Sequence, residues 1–225
     1  MNRFVFFVGL FVAGLSAQAS AQITASGGGY LFRMKFKPGT TISYSMVAGG
    51  NAQGQAFSMN TPMTTKVKSF SGGIGTLDYK IGPIKMMVNG KSMGPGQTQN
   101  LTLKMDSRGN VVGGTGGNSP GGTIGLPAKP IKVGGTWSAT TKTNTGMGMP
   151  MDVAATYRFI GFEKLGGINA AKIGISMKGK GSASVTGGGT MWLSVADGSM
   201  IKTMTSMKVS MGQQTMPMTM SITRK

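Results

Sequence analysis

Methionine is the residue type in this chain with the least ordinary chemistry. There are 21 methionines and neither a cysteine nor a histidine. Two groups fall at every second position: Met147, Met149 and Met151 in one segment, and Met216, Met218 and Met220 in another that continues into Ile222. Thioether sulfurs are soft donors that select Cu(I), and Ag(I) by the same chemistry. They are also adaptable, polarisable groups that fill or line apolar space. Either use needs the sulfurs on one side of the backbone. A β-strand provides this, because its side chains alternate between faces with a period of two, whereas a helix would spread the same positions around its circumference. Met147, Met149, Met151, Met216, Met218, Met220 and Ile222 are therefore the candidate ligand-binding residues. With only two Trp and ten Phe in the chain, methionine must help to supply the core. An apolar lining is the first expectation, and Met-based Cu(I) or Ag(I) sequestration is the alternative.

Little else in the composition can do chemistry. The absence of His removes Ser-His-Asp and Cys-His nucleophile systems and imidazole metal sites, and the absence of Cys removes thiolate sites. The carboxylates are Asp78, Asp106, Asp152, Glu163 and Asp197, too scattered for a convincing acid–base pair, although Asp152 and Glu163 could be neighbours. Asp106 and Asp197 sit in turn sequences, where Asp is expected for local hydrogen bonding. The glycine-rich stretches lack the Lys-Ser/Thr ending of a phosphate-binding loop. No catalytic residue and no cofactor is assigned, and an enzyme is not expected.

The charge is lopsided: 23 Lys and Arg against five acids, +18 at pH 7. Such a balance favours polyanions, including anionic envelope polymers and lipid head groups. A basic structural or surface protein that contacts polyanions is a further alternative. The lysines are scattered singly (Lys35, Lys37, Lys66, Lys68, Lys80, Lys85) and are not interleaved with aromatic residues, so no specific nucleic-acid partner is expected. Solubilising the outer face and edges of a sheet explains such a distribution without any partner.

The elements that must position the methionines are legible as alternation. Phe32, Met34 and Phe36 alternate with Arg33, Lys35 and Lys37. Ile42, Tyr44 and Met46 alternate with Thr41, Ser43 and Ser45. Tyr157 and Phe159 flank Arg158, and Ile173, Ile175 and Met177 flank Gly174 and Ser176. Each reads as a half-buried antiparallel strand. Pro38-Gly39, Gly49-Gly50-Asn51, Asn89-Gly90, Asp106–Asn110, Gly166-Gly167 and Ala196–Ser199 read as turns between them.

The chain also repeats. Lys37–Ser43 matches Lys132–Ser138, and Thr64–Phe70 matches Thr156–Phe162. Continued without a gap, the second match pairs Lys80-Ile81-Gly82 with Lys172-Ile173-Gly174, and the Gly109 turn then matches the Gly198 turn. The expected fold is all-β: an internally duplicated antiparallel sheet, strongly curved or an open barrel. Its repeat halves run about 30–112 and 131–225, joined by a Gly/Pro-rich connection over 113–130. Each half alone would expose its apolar face, so 22–225 is expected to be a single domain.

Residues 1–21 read as a signal peptide. Asn2 and Arg3 form a basic start, Phe4 to Leu15 an apolar run, and Ser16 to Gln22 a small-residue cleavage region. Cleavage is expected after Ala21, with Ala19 the competing position. The apolar run is short of the roughly 20 residues that a spanning helix needs, so no transmembrane anchor is expected. The location implied is exported, periplasmic or extracellular, and with no cysteine the fold holds without disulfides.

Four segments carry a resemblance: F-K-P-G-T-x-x-x-Y at Phe36 to Tyr44, L-P-x-K-P-I-K-V-G-x-T-W at Leu126 to Trp137, Y-R-F-I-G-F-E-K-L-G-G at Tyr157 to Gly167, and the Met-alternating C-terminal strand. Together they resemble an uncharacterised family of exported bacterial β-proteins, often Met-rich, that carries only a domain-of-unknown-function label. Some of its members are lipoproteins. That anchoring does not carry over, because the Cys it needs is missing. The Trp192 to Ile201 hairpin is similar to strands of the periplasmic lipoprotein-carrier superfamily, whose curved sheets hold acyl chains. The resemblances imply an exported β-protein and transfer no functional residue. The expected function is non-catalytic binding, in the cell envelope, of a lipid or other apolar small molecule on the Met-rich face.

Overall fold

The computed structural model describes residues 22–52, 54–115, 125–144, 150–181, 183–196, 198–211 and 214–225. Residues 1–21, where the signal peptide is expected, lie outside this set. Among the described residues there is no helix, as the alternation predicts.

A short hairpin comes first, β1 (Gln22–Ser26) and β2 (Gly29–Arg33), and forms its own two-stranded sheet. One large antiparallel sheet takes the remaining strands. From the first half come β3 (Thr41–Ala52), β4 (Gln55–Ser71), β5 (Ile74–Ile81), β6 (Lys85–Val88), β7 (Lys91–Pro95), β8 (Gln99–Asp106) and β9 (Val111–Thr115). From the second come β10 (Thr136–Asn144), β11 (Pro150–Leu165), β12 (Ile168–Gly181), β13 (Ser184–Ser194), β14 (Met200–Met211) and β15 (Gln214–Arg224). The order across the sheet is β10-β11-β12-β13-β14-β15-β3-β4-β5-β8-β9, with the β6–β7 hairpin attached to β4. The last strand of the chain thus joins the two halves by pairing with β3. Among the described residues the edges, β9 and β10, are not paired with each other, so the sheet is open.

The duplication is visible in the backbone. Gly39 and Gly134 both adopt φ 85. Gly39 N–H donates to Val67 O at 2.9 Å, and Val67 N–H donates back to Thr40 O at 2.9 Å. In the second half, Gly134 N–H donates to Phe159 O at 2.7 Å and Phe159 N–H donates to Gly135 O at 2.9 Å. The bulge after Val67 in the β4–β5 pair has its counterpart after Phe159 in the β11–β12 pair. Each hairpin then closes through two glycines of positive φ, Gly72-Gly73 and Gly166-Gly167, the geometry that only glycine and a few polar residues adopt cheaply.

Two details of the sequence reading change. The ungapped match of Ile81 with Ile173 is displaced. Val67 pairs with Leu77 and its counterpart Phe159 pairs with Ile173, so Leu77 is the structural equivalent of Ile173. The second hairpin is longer on both strands, which an ungapped comparison cannot absorb. The first half also extends further than 112, because β9 runs to Thr115.

The sheet curls around the stretch that runs from Phe32 of β2 to Phe36. Phe32 packs its ring edge-on against Phe159 of β11 at 5.2 Å between centroids and lies 6.0 Å from Trp137 of β10. A few residues on, Phe36 stacks near Phe70 of β4 and lies so close to Gly75 of β5 that a Cβ there would overlap its ring. Four residues of extended chain span about 14 Å, whereas β11 and β5 are seven strand spacings apart, roughly 34 Å along the sheet. A flat sheet could not meet both rings. Phe32, Met34 and Phe36 are accordingly buried against the concave face. Main-chain bonds fix the segment at each side: Tyr30 exchanges both its bonds with Ile131 at 2.9 Å, and Met34 N–H donates to Ser107 O at 2.7 Å. Arg33 clamps the crossover by donating to Phe32 O, Pro127 O and Ala128 O. The result is a cup whose base is filled by an aromatic cluster of Tyr30, Phe32, Trp137, Tyr157, Phe159 and Phe162.

Candidate binding site

Strand parity decides which side chains enter the cup. On β15, Met216, Met218, Met220 and Ile222 alternate with exposed or half-exposed Pro217, Thr219, Ser221 and Thr223. Ile222 and Met220 are buried, while Met218 and Met216 are half-buried near the start of the strand. The alternation in sequence therefore corresponds to one inward face, with exposure rising toward the rim. Met151, at the start of β11, is also buried on this face, and its sulfur lies against Gly179 of β12. It stands three strands away from β14, about 14 Å, so it belongs to the same face but to a different part of the rim. Met147 and Met149 lie outside the described residues.

Reading across the register extends the face. Ile222 opposes Met46 and Thr203, Met220 opposes Ala48 and Thr205, and Met218 opposes Gly50 and Met207. On β13 the next neighbours of Thr205 and Met207 are Gly189 and Gly187. A Cβ at Gly189 would overlap the Met204 carbonyl oxygen, and one at Gly187 would lie 2.7 Å from the Met207 Cβ. Gly187-Gly188-Gly189 thus lets β13 and β14 approach with no side chain between them, which tightens the curl beside the methionines.

The β3–β15 pairing ends at Gly50 and Met218. Beyond that point the β3–β4 hairpin continues to Ala52–Gln55 and the β14–β15 hairpin to Met211–Gln214. The two hairpins part, and a cleft of about 660 Å³ opens where they do, lined by Gly50, Gly187, Met207 and Met218 from the inner side. Lys208, Pro217 and Thr219 border it from the outer side. Met218 lines this cleft, and Met216 and Met220 flank it along the same face of β15. Sequence reading did not single out Met207, Gly50 or Gly187, which line the cleft with Met218. Met207 was obscured because β14 also carries Met204, which is out of phase and 47% exposed, so the methionines of that strand do not all share one face.

Two hydroxyls stand out on the inner side. Thr61 (0% exposed) on β4 and Thr205 (3% exposed) on β14 have Oγ1 atoms without a hydrogen-bond partner. Thr203, by contrast, donates to Thr190 O at 3.3 Å.

The carboxylates are occupied with local structure. Asp106 accepts from Arg108 N–H at 2.8 Å and Asn110 N–H at 2.9 Å, the turn role expected of it; Asp197 lies outside the described residues. Asp78 accepts from Thr102 Oγ1 at 2.7 Å and pairs with Lys68 at 3.5 Å. Glu163 accepts from Trp192 Nε1 and from Lys172 at 3.1 Å. These hydrogen bonds, Trp192's first, hold its carboxyl below the usual carboxylate range. Asp152 and Glu163 are not neighbours: Asp152 pairs across the β11–β12 register with Lys180 near the rim, and Glu163 lies at the other end of β11. Among the described residues, no three His, Cys, Asp or Glu side chains gather where they could hold a metal ion. Among the described residues, no helix is long and apolar enough to cross a membrane.

No protein-family model matches the chain, and no curated protein matches it. Among solved structures, the fold is similar to a Bacteroides fragilis protein described as a "putative exported protein with YmcC-like fold". The match has 11% identity and a TM-score of 0.44, and covers 84% of this chain and 98% of that one.

Proposed function

We propose that this chain is an exported, non-catalytic cell-envelope protein that binds an apolar or amphiphilic small molecule on the Met-rich inner face of its sheet. One observation carries the reading. Met207 and Met218, a directly opposed cross-strand pair, stand at the inner side of a cleft of about 660 Å³ that splits the rim of the cup. Ligand sites are concave and mostly apolar with a few polar groups, and flexible thioethers adapt to varied apolar shapes. Met220 and Ile222 continue the apolar face inward from Met218, and Met216 continues it toward the rim. Lys208 at the outer border supplies a cation for an anionic head group.

The test is titration with a fluorescent fatty-acid probe. Saturable binding to the wild type and a large loss in Met218→Gln, which keeps the length but adds a polar amide, is the expected result. A wild-type protein that binds no acyl probe and carries no lipid through native mass spectrometry removes the reading.

A second reading rests on the outer face. Lys66, Lys80, Lys178, Lys202 and Lys208 all point away from the cup, and Asp78, Asp106 and Glu163 are engaged within the chain. The outer surface is thus cationic with few counter-charges, which suits an anionic envelope polymer. Retention on heparin that falls steeply with salt would support it.

A further inference from the structure

The sheet carries a second concavity, on the side away from the methionines. A groove of about 440 Å³ crosses β4, β5 and β8, where Lys66, Lys68, Lys80, Asn100 and Thr102 surround Asp78. We infer, resting on the reading of the outer face above, that this groove seats a segment of an acidic oligosaccharide, whose anionic groups pair with Lys66 and Lys80.

Strand register brings the cations together. Lys66 opposes Asp78 and Lys80 opposes Thr64, so the two lysines are diagonal neighbours about 7–8 Å apart. Lys68 is the additional residue of the bulge between Val67 and Ser69, a device that re-aims a side chain. It reaches Asp78 Oδ2 at 3.5 Å, while Asp78 Oδ1 accepts from Thr102 Oγ1 at 2.7 Å. Both carboxylate oxygens are thus engaged, and among the described residues Lys66 and Lys80 form no ion pair. Both lysines are exposed and open to a ligand. Like charges in neighbouring cross-strand positions repel, and a bound anion relieves that repulsion.

The duplication shows that the fold does not need this cluster. With Val67 equivalent to Phe159 and Leu77 to Ile173, Lys66 corresponds to Arg158, Lys68 to Ile160, Asp78 to Gly174 and Lys80 to Ser176. The second half builds the same register and the same bulge with one cation where the first has three. There Ile160 lies over Gly174 in place of the ion pair. The extra lysines of the first half therefore answer to something other than the backbone.

The rest of the lining narrows the ligand class. The hydroxyls of Thr64 and Thr102 and the amide of Asn100 can both donate to and accept from sugar hydroxyls. Tyr79 turns its ring to the inner face, where its hydroxyl lies 3.5 Å from the Met105 sulfur, so it offers no platform for stacking a nucleic-acid base. A groove admits a flexible chain more readily than the broad surface of a bilayer.

The experiment measures binding of a heparin-derived octasaccharide over a salt series. It compares wild type, the double variant Lys66→Gln/Lys80→Gln, the control Lys164→Gln/Lys178→Gln with the same loss of charge, and Asp78→Asn. The Lys66/Lys80 variant should bind about tenfold more weakly, with a shallower salt dependence, since two ionic contacts are gone. The control should change by less than about twofold, and Asp78→Asn should bind about threefold more tightly. Equal losses in the two lysine pairs, or weaker binding by Asp78→Asn, would overturn the site while leaving a cationic surface that holds polymers by charge alone. Phosphatidylglycerol vesicles that bind with a Lys66/Lys80 dependence absent for the octasaccharide would overturn it in favour of a lipid surface. A wild-type protein that ignores the octasaccharide even at low salt would instead remove the polymer reading itself.

Discussion

Replacing Phe32 with alanine tests whether the Phe32–Phe36 stretch is what closes the base of the cup. Phe32 is fully buried, edge-on to Phe159 at 5.2 Å and beside Trp137 at 6.0 Å. Truncating a buried phenylalanine costs about 3–5 kcal/mol, the sum of lost transfer free energy and the cavity left behind. The edge-to-face pair with Phe159 accounts for about 0.5–1.5 kcal/mol beyond area alone, which places this site in the upper part of that range. A domain is stable by only about 5–15 kcal/mol, so the loss is a large fraction of the total. With a urea dependence of about 2 kcal/mol per M, a cost of 4 kcal/mol lowers the unfolding midpoint by about 2 M. Equilibrium urea unfolding followed by tryptophan fluorescence reads this directly, since Trp137 is in the cluster. Val133→Ala, at a side chain 56% exposed, is the control and should move stability by less than about 0.5 kcal/mol. The variant should also bind a hydrophobic dye that wild type does not, because the concave face loses its cover. A Phe32→Ala cost below about 1 kcal/mol, with no gain in dye binding, would mean that the sheet holds its curl without this segment.

Four further outcomes are expected. Gly189→Ala should destabilise by more than about 3 kcal/mol or fail to accumulate, because the added Cβ overlaps the Met204 carbonyl and backbone must move; a melt within a degree of wild type contradicts this. Burial pushes the Tyr157 phenol up to about 12; above the unfolded value near 10 the unfolded chain releases a proton that the folded one keeps, so stability should fall as pH rises through that interval, and Tyr157→Phe should flatten the fall. Glu163, held below the usual range by Trp192 and Lys172, contributes stability above its unfolded pKa that is lost as pH falls through the folded one; Glu163→Gln should remove that acid-side dependence in a pH series of melts. Competition titration against a Cu(I) chelator should show no tight site if the methionines are a lining, and a tight site abolished by Met218→Leu would shift the function to soft-metal binding.

How far the site could be read beforehand depended on which strand carried it. On β15 every second residue is Met or Ile and every intervening one is polar or proline, so parity alone placed Met216, Met218, Met220 and Ile222 on one face. On β14 the inward set is Thr203, Thr205, Met207 and Val209, and its threonines look like a solvent face. The outward set contains Met204, which looks like core. Hydrophobicity and parity disagree there, and only pairing with β15 reveals which side faces in. The repeat was legible where turn chemistry is strict, at Gly39 and Gly134. It slipped where one hairpin is longer than its copy.

The sequence by itself determined the period of the strands, the turns that need glycine, the duplication and the cationic outer side, because these depend on backbone sterics and on residues near in the chain. The tertiary structure decided that β15 bridges the halves, that Phe32 and Phe36 draw distant strands into a cup, and that two hairpins part to expose Met207 beside Met218. Those features arise from contacts between segments far apart in sequence, where the register of one strand against another selects which side chains meet, and no local pattern encodes that selection.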